Sequence, residues 1–208
     1  HGPGVSSFAA IATVGDVMEL EGENRIMVKW GLKALEETKN PGLRALIRET
    51  GLEGSSLSAY HIGFVIGLLN ASGRLDTAKR SLRLLLAEDE AEARELAVEL
   101  KQLNDERKDL TARGVEQAVM KIEHTPLGKD RVLVVYLPAA MSIAGIIAGR
   151  IREKYHKPVF VLTDGTDCVK GSGRSIETYS MFDEMVKCQD LFLKFGGHPM
   201  RPAFPSGG

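Results

Sequence analysis

Between Thr77 and Glu123 the chain runs for 47 residues without a proline and with one glycine, Gly114, and no other feature narrows its fold so sharply. Leu96, Leu100, Leu103 and Leu110 fall on one stripe at helical spacing, with charged residues filling the remaining faces. The pattern predicts a long helix. A helix polar on most sides joins two lobes better than it forms the core of one. Glu88-Asp-Glu-Ala-Glu92, near its start, reads as a solvated acidic face that suits a helix N-terminus.

The flanks differ in character. Residues His1 to Ser7 show no periodicity and read as a loop, and a small-apolar run from Phe8 to Val17 ends at Gly15-Asp16. Helical spacing from Asn24 to Leu35 is broken by Asn40-Pro41-Gly42; a short helix through Leu43, Leu46 and Ile47 follows and stops at Gly51. Ser58-Ala-Tyr-His61 opens an apolar stretch that runs into Leu75. Past Thr125-Pro126-Leu-Gly128 the pattern alternates: strand 131–137, helix 142–155, strand 158–163, strand or loop 169–174, helix 179–187 and strand 191–195. The expected fold class is α/β. Its division is a first lobe over residues 1–76, a connecting helix over 77–125 and a smaller α/β lobe over 126–208.

Val132 to Gly149 carries no charge, yet Pro138 and Ser142 split it into a β-branched run and a small-residue run, a buried strand and helix start rather than a membrane span. The chain as a whole has 27 basic and 28 acidic residues, which excludes a surface that is cationic throughout. Residues 131–208 hold ten basic and seven acidic groups against 17 and 21 in residues 1–130, so the second lobe is the expected seat of an anion site. Two cysteines, Cys168 and Cys188, make no disulfide framework, and no signal peptide opens the chain; both point to a cytoplasmic protein with free thiols.

Gly171-Ser-Gly-Arg-Ser175 follows a strand-like run and packs two glycines, two hydroxyls and a guanidinium into five residues. Backbone N–H groups of such a loop can converge on an oxyanion while Arg174 gives bidentate contacts to phosphate; the same residues also suit a tight turn. Phe195-Gly-Gly-His-Pro-Met200 is a second glycine-rich turn, whose Gly196 and Gly197 let a ligand approach the backbone beside His198. Asn70-Ala-Ser-Gly-Arg74 sets an amide and a guanidinium on opposite sides of a glycine, or else caps a helix. Asp16, ending an apolar run, is an inward-pointing carboxylate of the kind a divalent metal uses, though one carboxylate is not a site. His61 reads as a core or interlobe residue, His124 and His156 as surface positions, and HExxH, Walker A, GxSxG and CxxC pairs are absent.

Taken together, Ala12-Thr-Val-Gly-Asp-Val-Met-Glu-Leu20, Gly22-Glu-Asn-Arg25, Leu69-Asn-Ala-Ser-Gly-Arg-Leu-Asp76, Ala144-Gly-Ile-Ile-Ala-Gly-Arg150, Gly171-Ser-Gly-Arg-Ser175 and Leu193-Lys-Phe-Gly-Gly-His-Pro-Met200 resemble the RecJ family of bacterial single-stranded-DNA-specific exonucleases. The resemblance runs in one order from Ala9 to Met200. It implies a DHH-superfamily phosphoesterase that degrades single-stranded DNA from its 5′ end with Mn²⁺ or Mg²⁺, with a single-strand-binding protein as a partner. It also implies the end of a DHH lobe, a long connecting helix and a DHHA1 lobe. Under it, Asp16 is the last aspartate of the metal set. Arg74 neutralises phosphate near the scissile bond in a turn shaped by Asn70. Ser172, Gly173, Arg174 and Ser175 hold the strand's backbone, and Gly197 and His198 lie beside the 5′-terminal phosphate or the scissile region.

The departures are specific. The family's Asp-His-His triplet occurs nowhere in this sequence, so most metal ligands are missing, and Asp16 alone is expected to bind metal weakly if at all. Gly15 stands where the family carries alanine, Pro138-Ala-Ala-Met-Ser142 lacks the family's histidine before the Gly-Ile-Ile-Ala helix, and Arg201-Pro-Ala-Phe-Pro-Ser206 replaces a small-residue continuation. Two other readings stand beside the exonuclease: a non-catalytic single-stranded nucleic-acid-binding module, which the missing carboxylates favour, and a DHH phosphoesterase acting on short oligonucleotides or cyclic dinucleotides.

Overall fold

A computed structural model describes residues 3–75, 77–140, 142–193, 196–198 and 201–205, with backbone alone for 3, 4, 197, 198 and 201–205. It is a mixed α/β chain in two compact units, residues 1–107 and 108–208. The division falls inside a helix rather than at residues 76 and 125.

The first unit is helical: α1 Pro3–Gly15, α2 Gly22–Glu36, α3 Pro41–Glu49, α4 Ala59–Leu75, α5 Lys79–Leu85 and the first part of α6, Glu90–Glu123. Its core gathers Leu35, Leu43, Leu46, Ile62, Val65, Leu84, Leu96 and Leu100. The expected loop at the N-terminus is helix from Pro3 onward, because Gly31 of α2 lets α1 lie directly on it. A Cβ at Gly31 would sit 2.4 Å from both the Ser6 carbonyl oxygen and the Ala10 Cβ. Asn40 starts α3, its Oδ1 accepting from the Leu43 N–H at 2.9 Å and its Nδ2 donating to the Leu85 carbonyl at 3.0 Å, with Pro41 in the first turn.

The helix expected from Thr77 is two helices. Asp89 accepts the Glu92 N–H at 2.8 Å, an N-cap in an Asp-x-x-Glu frame, so the acidic run that reads as a solvated face is the start signal of α6. α5 is a separate short helix held to α4 by buried Ser72 and Ser81, whose hydroxyls lie 2.7 Å apart while the Ser81 hydroxyl also donates to the Leu69 carbonyl. The leucine stripe serves both units: Leu96 and Leu100 are buried in the first core, and Leu110 packs on the second.

In the second unit, β1 Leu133–Tyr136 and β2 Val159–Asp164 are parallel and joined by α7 Ala144–Tyr155; β3 Val169–Arg174 runs antiparallel to β2. α8 spans Met181–Lys187, started by Ser180, whose hydroxyl accepts the Asp183 N–H. β4 Gly196–His198 and β5 Arg201–Pro205 complete a sheet of order β1-β2-β3-β5-β4. Leu133, Val135, Val159 and Val161 pack against Ala144, Ile147, Ala148 and Ile151 of α7 and Ala118 and Ile122 of α6. Of the strand expected at 191–195, residues 194 and 195 lie outside the described residues and Leu191 ends a short 3₁₀ turn, Gln189–Leu191; the strands that pair beyond it are β4 and β5, with β5 between β3 and β4. Among the described residues no helix is long and apolar enough to cross a membrane.

Candidate nucleic-acid interface

Gly171 to Arg174 belong to strand β3, and Ser175 follows its end. Gly171, Ser172, Gly173 and Arg174 pair with Leu162, Val161, Phe160 and Val159, so the backbone N–H groups belong to a ladder and do not converge on an anion. The fold offers side chains instead. Residues directly opposite one another in a sheet share a face, which sets Ser172 and Arg174 on the side of Val161 and Val159, the side that joins the core with α7. Both are half-buried there, whereas Gly171 and Gly173 are buried on the opposite side.

The Arg174 guanidinium reaches the first turn of α7. A Cβ built on Gly145 would stand 2.7 Å from Nη2 and 3.3 Å from Cζ, so the guanidinium rests on the bare glycine backbone. Its Nη1 donates to the Gly173 carbonyl at 2.6 Å. Ser175 leaves the expected set: its side chain is buried, its hydroxyl donates to the Tyr179 carbonyl, and its own carbonyl accepts from Arg152 Nη1 at 3.4 Å. It braces the bend that follows the strand.

Gly197 and His198 hold backbone places in β4, opposite Pro202 and Arg201; the His198 side chain and Phe195, Pro199 and Met200 lie outside the described residues. Of the predicted turn, the described residues Gly196–His198 are strand.

In the first unit Asn70 and Arg74 occupy the last two turns of α4. Four residues apart, they lie on one helix face, both exposed, rather than on opposite sides of a turn. His61 is half-buried, and its Nδ1 accepts the Ser58 N–H at 3.1 Å, a local tie at the start of α4. Asp16 is not inward-pointing. It follows the last residue of α1 and is exposed, where the Val17 N–H donates to the Val14 carbonyl at 3.1 Å and the Met18 N–H to the Thr13 carbonyl at 3.1 Å. This is a Schellman end whose left-handed position, normally glycine, is filled by Val17 at φ 55°.

Among the described residues no group of three or more His, Cys, Asp or Glu side chains stands close enough to hold a metal ion. One exposed aspartate does not fit a two-metal centre. Sequence reading missed Gly145 as the neighbour of the Arg174 guanidinium; the signal was a glycine in the opening turn of a predicted helix, where a glycine costs stability unless something needs the space.

Comparison with known proteins matches residues 129–201 to the DHHA1 domain. RecJ, the single-stranded-DNA-specific exonuclease, of Bacillus subtilis is 34% identical over 196 residues, spanning 93% of this chain and 25% of that protein. RecJ of Escherichia coli is 37% identical over 206 residues, spanning 93% of this chain and 35% of that protein. A crystal structure of RecJ from Thermus thermophilus in complex with Mg²⁺ superposes with a TM-score of 0.88 at 31% identity, covering 99% of this chain and 32% of that one. A structure of exonuclease RecJ bound to manganese gives 0.83 at 32% identity, over 99% and 51%. The chain spans about a quarter to a third of the length of these curated relatives.

Proposed function

Since its second unit carries a DHHA1 domain and almost its whole length is RecJ-like in sequence and fold, we propose that this chain is the strand-holding part of a metal-dependent 5′→3′ exonuclease specific for single-stranded DNA. The observation that carries the reading is the pair Ser172 and Arg174, side by side on one face of β3 within the DHHA1 match. A hydroxyl and a guanidinium so placed suit a phosphate oxygen, the arginine offering a planar fork of donors. Arg74 and Asn70, on one exposed helix face, form a second phosphate contact in this reading.

One observation favours a narrower reading for the isolated chain: binding without turnover. Asp16 belongs to no metal-holding group of side chains among the described residues, and Mn²⁺ or Mg²⁺ needs several oxygen ligands.

The test is fluorescence anisotropy of a 5′-phosphorylated single-stranded oligonucleotide titrated with the chain at several salt concentrations. Arg174→Ala is expected to weaken binding roughly tenfold or more, the worth of a charge-assisted hydrogen bond of about 1.5–3 kcal/mol. The slope of log affinity against log salt should flatten by about 0.7, one phosphate contact fewer on a single strand. Unchanged affinity and slope would remove Arg174 from the interface. After addition of Mn²⁺ the oligonucleotide is expected to keep its length on a gel; shortening from the 5′ end would show a working metal site in this chain.

A further inference from the structure

We propose that Gly145 is a positioning residue: it is the platform on which the Arg174 guanidinium is seated, and its lack of a side chain sets where that cation meets phosphate. The inference rests on the phosphate role given to Arg174 and extends it to a residue with no role of its own so far.

Three observations carry it. The three atoms nearest a Cβ at Gly145 are all in the guanidinium, with Nη2 at 2.7 Å, Cζ at 3.3 Å and Nη1 at 3.5 Å, so the planar group lies over the glycine rather than touching it with one edge. A Cβ contact under about 3 Å does not persist, so any side chain at 145 must move the guanidinium. The atoms displaced are the far end of a long side chain, not backbone and not core. Contrast Gly42, where a Cβ would meet the Leu84 backbone oxygen at 2.1 Å, or Gly149 of the same helix, where it would meet nothing within 4 Å. Gly145 is therefore the position in α7 at which a methyl group relocates the cation and leaves the packing of Ile147, Ala148 and Ile151 intact.

The glycine also has a cost that calls for a reason. In a helix it is less favourable than alanine, and the seated guanidinium, nearest of all to the missing Cβ, is what a larger residue would disturb first. From β3 the Arg174 side chain has several rotatable bonds, and ordering such a chain in advance lowers the entropy lost when it closes on a ligand. Resting on Gly145 and tied to the Gly173 carbonyl, the fork is held before the strand arrives.

The experiment compares wild type, Gly145→Ala, Arg174→Ala and the double variant, with 5′-phosphorylated and 5′-hydroxyl oligonucleotides and a thermal melt of each protein. Gly145→Ala is expected to lose most of the affinity that Arg174→Ala loses. The double variant should bind no worse than Arg174→Ala alone, the non-additivity of two residues acting through one contact. The melting midpoint of Gly145→Ala should stay within about 4 °C of wild type. Wild-type binding by Gly145→Ala with weakened Arg174→Ala would overturn the positioning role and leave the phosphate reading standing. Additive losses would overturn it too, as would a larger fall in midpoint, since the cost would then fall on the fold and not on the mobile tip. Wild-type affinity and salt slope in Arg174→Ala would overturn the phosphate reading, and the positioning role with it.

Discussion

Gly42→Ala is expected to unfold the first unit at denaturant concentrations the wild-type chain withstands, with a loss of about 3 kcal/mol or more. A Cβ at this position would stand 2.1 Å from the Leu84 carbonyl oxygen and 2.8 Å from its carbon, and no rotamer can relieve a contact made by backbone. Either α3 or α5 must back away. Asn40 loses with them, because it caps α3 through the Leu43 N–H while holding the Leu85 carbonyl, so separating the helices breaks one of its two bonds. Leu43, Leu46 and Leu84, all fully buried, line the same junction. Against a typical domain stability of about 5–15 kcal/mol, such a loss takes a large share. Urea unfolding followed by far-UV circular dichroism, with amide exchange read at residues 43–47, measures it; a midpoint equal to wild type would mean that α3 and α5 do not touch here.

Ile147→Ala should cost the second unit about 3–4 kcal/mol. Its side chain is fully buried among Leu133, Val135, Val159, Val161 and Ile151, between the sheet and two helices, so the space it leaves cannot collapse readily. Its Cδ1 also presses on Gly114 of α6, where a Cβ would come within 2.4 Å. The one glycine between Thr77 and Glu123 thus marks where Ile147 of α7 touches α6. Gly114→Ala is expected to be destabilising alone and less so combined with Ile147→Val, which removes the offending methyl group, so the two effects should sum to more than the double variant shows. Strict additivity, read from denaturant midpoints, would place Gly114 away from Ile147.

Much of the architecture was legible in one dimension because it rests on periodicity. The helical spacing of Asn24 to Leu35, the apolar run Val159–Leu162 and the break at Asn40-Pro41-Gly42 each act within a few residues, and helix, strand and helix boundary stand where those patterns lie. Asp89-Glu-Ala-Glu92 carries both a charged face and a capping frame, and the structure shows Asp89 capping α6.

The candidate site was legible in its residue types and illegible in its geometry. Gly171-Ser-Gly-Arg is a poor strand by propensity, and only its partners on β2 and β5 make it one. That pairing withdraws the backbone N–H groups from ligand binding and presents Ser172 and Arg174 on one face, an outcome that depends on register rather than on composition. Asn70 and Arg74 moved from opposite sides of a turn to one side of a helix for a similar reason: the apolar run before them, anchored by Ile62, Val65 and Leu68, carries α4 straight through the glycine.

The sequence by itself determined the class of this protein: a mixed α/β chain with a long helix shared by two units, and a DHHA1 region identifiable from separate short motifs. Those features are local or cumulative along the chain, so they survive without knowledge of what touches what. Tertiary structure alone decided that residues 3–7 are helix, that the Gly-Ser-Gly-Arg run is strand, that Asp16 faces solvent and that Arg174 rests on Gly145. The exposure of Asp16 follows from how α1 ends, and each of the others depends on a contact between segments far apart in sequence, in which the absence of a side chain or the register of a neighbouring strand outweighs what the residue would prefer alone.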